Sequence, residues 1–186
     1  MRRVISAALL LGCGLSATAQ AAQEAAARET VAKLLRWEQS VKPSGFYREQ
    51  LGAELAALIS DELLCLLQGA SDLRERETRA SPDEKPSYVE GRLWMPNPWD
   101  PVLGTEIASV HPVPGHPARL RVDVSVDYGE GGHEVGHYLV EGRRILDVDA
   151  GGNCPFCQES SLRSDIYRSL RGSGDPAAQR CQALAK

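Results

Sequence analysis

No apolar run in this 186-residue chain reaches the roughly 20 residues needed to cross a bilayer. The longest, Val4 to Leu15, falls short, and nothing later approaches it, so the sequence predicts a mature protein without a transmembrane segment. A basic stripe is also missing: 21 Lys+Arg are interspersed among 25 Asp+Glu, which argues against nucleic acid as a partner. There is no G-x-S-x-G nucleophile elbow. Gly129 to Gly132 lacks the Lys-Ser/Thr and the helix that would make it a phosphate-binding loop. No internal repeat is visible. What is present, 42% hydrophobic and 25% charged residues, is ordinary globular material and not a disordered tail.

The first residues have the layout of a secretory signal peptide. Arg2 and Arg3 form a positive n-region, Val4 to Leu15 an apolar centre, and Ala17-Thr18-Ala19 and Ala19-Gln20-Ala21 two small-residue cleavage sites. We expect residues 1–21 to be removed, a single domain over 22–172, a C-terminal tail over 173–186, and a periplasmic or secreted location. Leu10-Leu11-Gly12-Cys13 also resembles a lipobox, which would make a lipidated Cys13 the first residue. Leu11 is bulkier than the residue usual before the Gly. Loss of Arg2 and Arg3 leaves acids in excess by six instead of four.

Four cysteines remain after the leader: Cys65, Cys154, Cys157 and Cys181. In an exported chain an even number points to disulfides, and four allow three connectivities. Our preferred pattern ties Cys65 and Cys181 to the 154–157 pair, and the competing one is Cys154–Cys157 with Cys65–Cys181. Cys154-Pro155-Phe156-Cys157 also follows a strand and opens a helix, where a thiol pKa falls, so a thiol-disulfide oxidoreductase is an alternative. Its late position is wrong for a thioredoxin fold, since one helix and no strand follow it.

The hydrophobic pattern changes period midway. Ala27, Val31, Leu34 and Leu35 predict a helix over 25–40. Leu51, Leu55, Leu58 and Ile59 predict a second within 46–59. Ser60 is an N-cap, with Asp61 and Glu62 suiting the first turn of a third helix. Residues 80–101 are broken by Pro82, Pro86, Pro96, Pro98 and Pro101, yet hold Trp94, Met95 and Trp99, so this irregular segment should pack onto the domain. Beyond it, Ile107 and Val110 suggest a strand ending in the 111–117 turn. Leu120, Val122, Val124 and Val126 alternate with Arg119, Arg121, Asp123, Ser125 and Asp127 in the clearest strand of the chain. Two more strands, 134–141 and 143–149, flank Glu141-Gly142, and a helix spans 158–170. The tail after Gly172 reads as poor in structure. The fold class is α+β: N-terminal helices packed on a curved antiparallel sheet of about four strands, with a C-terminal helix.

The helical first half, the Ser60-Asp61-Glu62-Leu63 helix start, the strand Leu120 to Val126 and the closing pair His137 to Val148 together resemble the nuclear transport factor 2-like, or cystatin-like, fold. Within it the chain looks most like an exported bacterial family known as a domain of unknown function, where Asn97-Pro98-Trp99-Asp100-Pro101 also fits. The usual Trp of the closing strand is Arg144 here. The resemblance implies a cavity between sheet and helices and brings no catalytic residues with it.

His133-Glu134-Val135-Gly136-His137 matches H-E-x-x-H. On a helix the imidazoles would share a face about 6 Å apart along the axis and hold zinc, with Glu134 polarising its water. The glycines before the motif and the Glu-Gly turn after it argue for a strand instead. There His133 and His137 would stand about 13 Å apart, with Glu134 on the opposite face. The leading expectation is therefore a non-catalytic exported domain, without cofactor, that binds a small ligand or a protein partner. A zinc peptidase using His133, Glu134 and His137 is the alternative.

Overall fold

The computed structural model describes residues 11–88, 90–149 and 161–185. Its elements are α1 (Leu11–Val41), α2 (Ala53–Ala56), α3 (Asp61–Ala80), β1 (Gly104–Val113), β2 (His116–Asp127), β3 (His133–Glu141), β4 (Arg144–Asp149), α4 (Leu162–Gly172) and α5 (Ala177–Gln182). The strands form one antiparallel sheet in the order β1-β2-β3-β4. The fold is α+β, with helices before and after the sheet.

Alternation along β2 decides which face meets the helices. Leu120, Val122, Val124 and Val126 are buried, as are Tyr138 and Val140 on β3 and Ile145 and Val148 on β4. Against this inner face lie Ala27, Val31, Leu34 and Leu35 of α1. Two bulges keep the faces in order. Ala108 is an extra residue between Ile107, opposite Val124, and Ser109, opposite Asp123. A bulge of this kind lets Ile107 and Val110, three apart, both point inward, as two residues of a regular strand could not. Leu146 is likewise extra between Ile145, opposite Val140, and Asp147, opposite Leu139.

Ser60 caps α3 as expected, its Oγ accepting from the Leu63 N–H at 3.1 Å, and the helix runs on in charged form to Ala80. Just before it, Ile59 bridges Ile145 in parallel, so the α2–α3 link lines the free edge of β4. Arg144 donates to the carbonyls of Ala56 and Ile59 and holds that link.

Four expectations need correction. The second helix shrinks to the four residues of α2, because Gly45, Gly52 and the extended Tyr47 interrupt the pattern. The predicted helix over 25–40 begins at Leu11, since the Ala-rich stretch before it continues the helix. Residues 18–22 are exposed there, and Ala27 is buried in the core. The stretch after Gly172 is not structureless: α5 buries Ala177, Ala178 and Cys181. Finally, Cys65 and Cys181 bond to each other, with Cα atoms 5.5 Å apart, and not to the 154–157 pair. The physical reason is the crossing of α3 and α5. A Cβ on Gly69 would lie 3.0 Å from the Cβ of Ala177, so glycine lets the helices touch there. Four residues earlier on α3 and four later on α5 stand Cys65 and Cys181, so the two helices run antiparallel with the cysteines face to face. Cys154 and Cys157, with the expected start of the last helix at Gln158, lie outside the described residues. That helix is described from Leu162, capped by Ser161, whose Oγ accepts from Ser164 N–H at 3.3 Å.

The irregular 81–103 segment is pinned at several points. Arg92 forms an ion pair with Glu38, which is completely buried. Trp94 packs edge-on against Trp37, with ring centroids 6.0 Å apart, and its carbonyl accepts from the Tyr138 hydroxyl at 2.8 Å. Tyr88 donates to Ser169 Oγ at 2.7 Å. Trp94 and Met95 are buried as expected; Trp99, at 56% exposure, is not.

Candidate functional site

The H-E-x-x-H residues lie on β3, and strand geometry decides their chemistry. His133 and His137 are on the outer face, four residues apart, while Glu134 points inward beside Gly136. Imidazoles spaced about 13 Å along a strand cannot share one ion. Among the described residues no group of three His, Cys, Asp or Glu side chains is placed to hold a metal. The zinc peptidase alternative thereby loses its ligand geometry.

Separated from His133, His137 has another partner. It stands opposite Asp123 of β2, and its Nδ1 is 2.7 Å from Asp123 Oδ1. Asp123 is 8% exposed although it lies on the outer face. Ser109 Oγ donates to its Oδ2 at 2.8 Å, and Arg121 Nε to its Oδ1 at 2.9 Å. His111 Nε2 lies 3.3 Å from Oδ2 and 2.9 Å from Ser109 Oγ. Burial acts to raise the Asp123 carboxyl pKa, but the bonds from His137, Ser109 and Arg121 outweigh it and hold it below its usual range. The Ala108 bulge is what brings Ser109 to this face.

The cluster borders a cleft of about 490 Å³ lined by His111, Arg121, His137, Asp149, Ser161 and Pro114. Asp147 also reaches it. Burial raises the Asp147 pKa, against hydrogen bonds from Ser161 and from the backbone N–H groups of Arg163 (2.9 Å) and Val148 (2.8 Å). With Asp123 occupied by its donors, His137 Nε2, His111 Nδ1 and Arg121 Nη1 have no protein partner among the described residues. The arrangement suits recognition better than nucleophilic catalysis. Ser109 gives its proton to Asp123, so His111 can only donate to the Ser109 oxygen, the reverse of what an activating base does.

Glu134 occupies a different place. It faces the Asn97–Asp100 turn, where Asn97 Nδ2 donates to Asp100 Oδ2 at 2.9 Å and Asn97 Oδ1 accepts from the Trp99 N–H at 3.0 Å. Pro96 sits so close to Gly136 that a Cβ there would be 3.0 Å from its Cγ. Burial first, then the Asp100 charge, raises the Glu134 pKa, with a hydrogen bond from Asn97 opposing. Its Oε2 is buried without a hydrogen-bond partner. This carboxyl is a packing contact between β3 and the Asn97–Asp100 turn.

Sequence reasoning singled out His137 for the wrong neighbour and missed Ser109, His111, Arg121 and Asp123. The signal that could have found them is Asp123 itself, an acid midway along the most apolar strand of the chain. No family model, curated protein or solved structure matches this chain.

Proposed function

We propose that this is an exported, non-catalytic α+β domain of the nuclear transport factor 2-like type, which binds a small ligand or a protein partner in the cell envelope through the outer-face cleft. The observation that carries the reading is the buried Asp123 carboxylate. Its bonds to Arg121 and His137 fix two of the side chains that border the cleft before any ligand arrives. Fixing them in advance reduces the ordering cost of binding. Export is supported by the signal-like leader and by the Cys65–Cys181 bridge, a bond favoured in oxidising compartments. Residues 18–22 are exposed on α1, so removal of a leader ending near Ala21 is compatible with the folded domain.

The test is a heteronuclear NMR screen of the labelled mature protein against fractionated envelope extract. Signals of His111, Arg121 and His137 should shift saturably with one fraction, and His137→Ala should abolish the response. Shifts confined to other regions would refute the cleft. Peptidase activity lost on Glu134→Gln would refute the non-catalytic reading. N-terminal sequencing of exported protein should begin between Gln20 and Gln23; a lipidated Cys13 would contradict it.

A further inference from the structure

A second cleft, of about 680 Å³, lies between α1, α2 and the β3–β4 turn, with the buried Trp37 among its lining residues. Its charged lining is unusual in how it is paired. Lys33 and Glu29 satisfy each other at 2.9 Å. Arg36 from α1, Arg143 from the β3–β4 turn and Glu54 from α2 have no ion-pair or hydrogen-bond partner among the described residues, although each lines the same cleft. Both guanidiniums are near enough to Glu29 to add to the stronger effect of Lys33 in lowering its pKa. On a chain whose net charge is −4, two free guanidiniums converging from separate elements form a local positive site.

The chemistry narrows what could fill it. A guanidinium is a planar fork that matches a carboxylate or phosphate. The free Glu54 opposes a doubly charged phosphate and favours a ligand that also carries an ammonium group. The volume accommodates a molecule of several residues' size and not a lone ion. We infer that this cleft is a binding site for short peptides, with Arg36 and Arg143 taking the terminal carboxylate and Glu54 the amino end. This goes beyond the outer-face reading and stands or falls separately from it, since the two clefts share no residue.

The probe is triglycine, titrated into the ¹⁵N-labelled mature protein and followed at the amides of Arg36, Arg143 and Glu54. Saturable shifts at these residues are expected. Amidating the triglycine carboxylate, or the double substitution Arg36→Gln/Arg143→Gln, should weaken binding by about tenfold, the loss of a charge-assisted hydrogen bond. N-acetylated triglycine should bind more weakly than triglycine to the natural protein and no more weakly to Glu54→Gln. All three side chains are exposed, so the variants should keep the parent melting temperature. Absence of saturable shifts, equal binding of the amide, or tighter binding of inorganic phosphate than of triglycine would each overturn the inference.

Discussion

The two faces of the sheet obey different rules although they alternate along the same strands. On the inner face, Val122, Val124 and Val126 are interchangeable in kind: apolar, fully buried and held by packing. On the outer face, Asp123 is nearly as buried, yet what holds it is a set of directed bonds from three strands. Burial alone does not separate core from site here. The pairing of the buried group does.

The comparison is broken most severely by giving the inner face what the outer face tolerates. Val124→Asp places a carboxylate beside Ile107 and Gly136 with no donors, and should cost more than about 4 kcal/mol, enough to abolish the cooperative urea transition. Next comes the crosslink behind the sheet. Cys65→Ser/Cys181→Ser opens a loop of 116 residues, and the chain-entropy relation caps the loss at about 5 kcal/mol, readable as a lower urea midpoint. On the outer face, Asp123→Asn should cost about 1–2 kcal/mol near neutral pH, less than the inner-face change, because the amide keeps the shape and some of the bonds. Its pH dependence sharpens the point. The Asp123 pKa is lowered by folding, so its contribution is present above the unfolded value and lost as pH falls through the folded one. The parent should therefore lose more stability than the Asn variant as pH falls below the ordinary aspartate range, about pH 4.

The smallest effect has the opposite sign. The Glu134 pKa is raised by folding, so the folded state binds more protons, and stability falls as pH rises from the unfolded value through the folded one. Glu134→Gln should stabilise the protein at neutral pH by less than about 1 kcal/mol and flatten that fall. A destabilised variant in thermal unfolding would show instead that the carboxylate makes a net favourable bond in the folded state.

Much of the inner face was legible because a period-2 pattern needs no knowledge of neighbours. The valines of β2, the Ser60 cap and the β3–β4 hairpin all follow from local order. The outer-face cluster was not legible, because Ser109, His111, Asp123 and His137 meet across strands through a register with a bulge in it. Ile107 and Val110, three apart, hinted at that bulge, but three is also a helical interval. The α5 helix was hidden by its shortness and by the glycines before it. The disulfide pairing needed the distance between α3 and α5, to which Gly69 was the one local clue. The short α2 shows the reverse failure, a good apolar spacing interrupted by glycine.

Ala108 has a consequence for how the chain can change length. Deleting one residue from a strand normally inverts the phase of everything beyond it. At this position the sequence carries one letter more than the pairing uses, and removing it joins Ile107 to Ser109 and Val110 in unbroken alternation, each still on its present side. Phase survives; the local bend that a bulge imposes does not. The extra residue in β1 thus encodes shape and not sidedness, and a one-residue deletion there should alter how the first strand curves past the outer cleft while leaving the inner face filled.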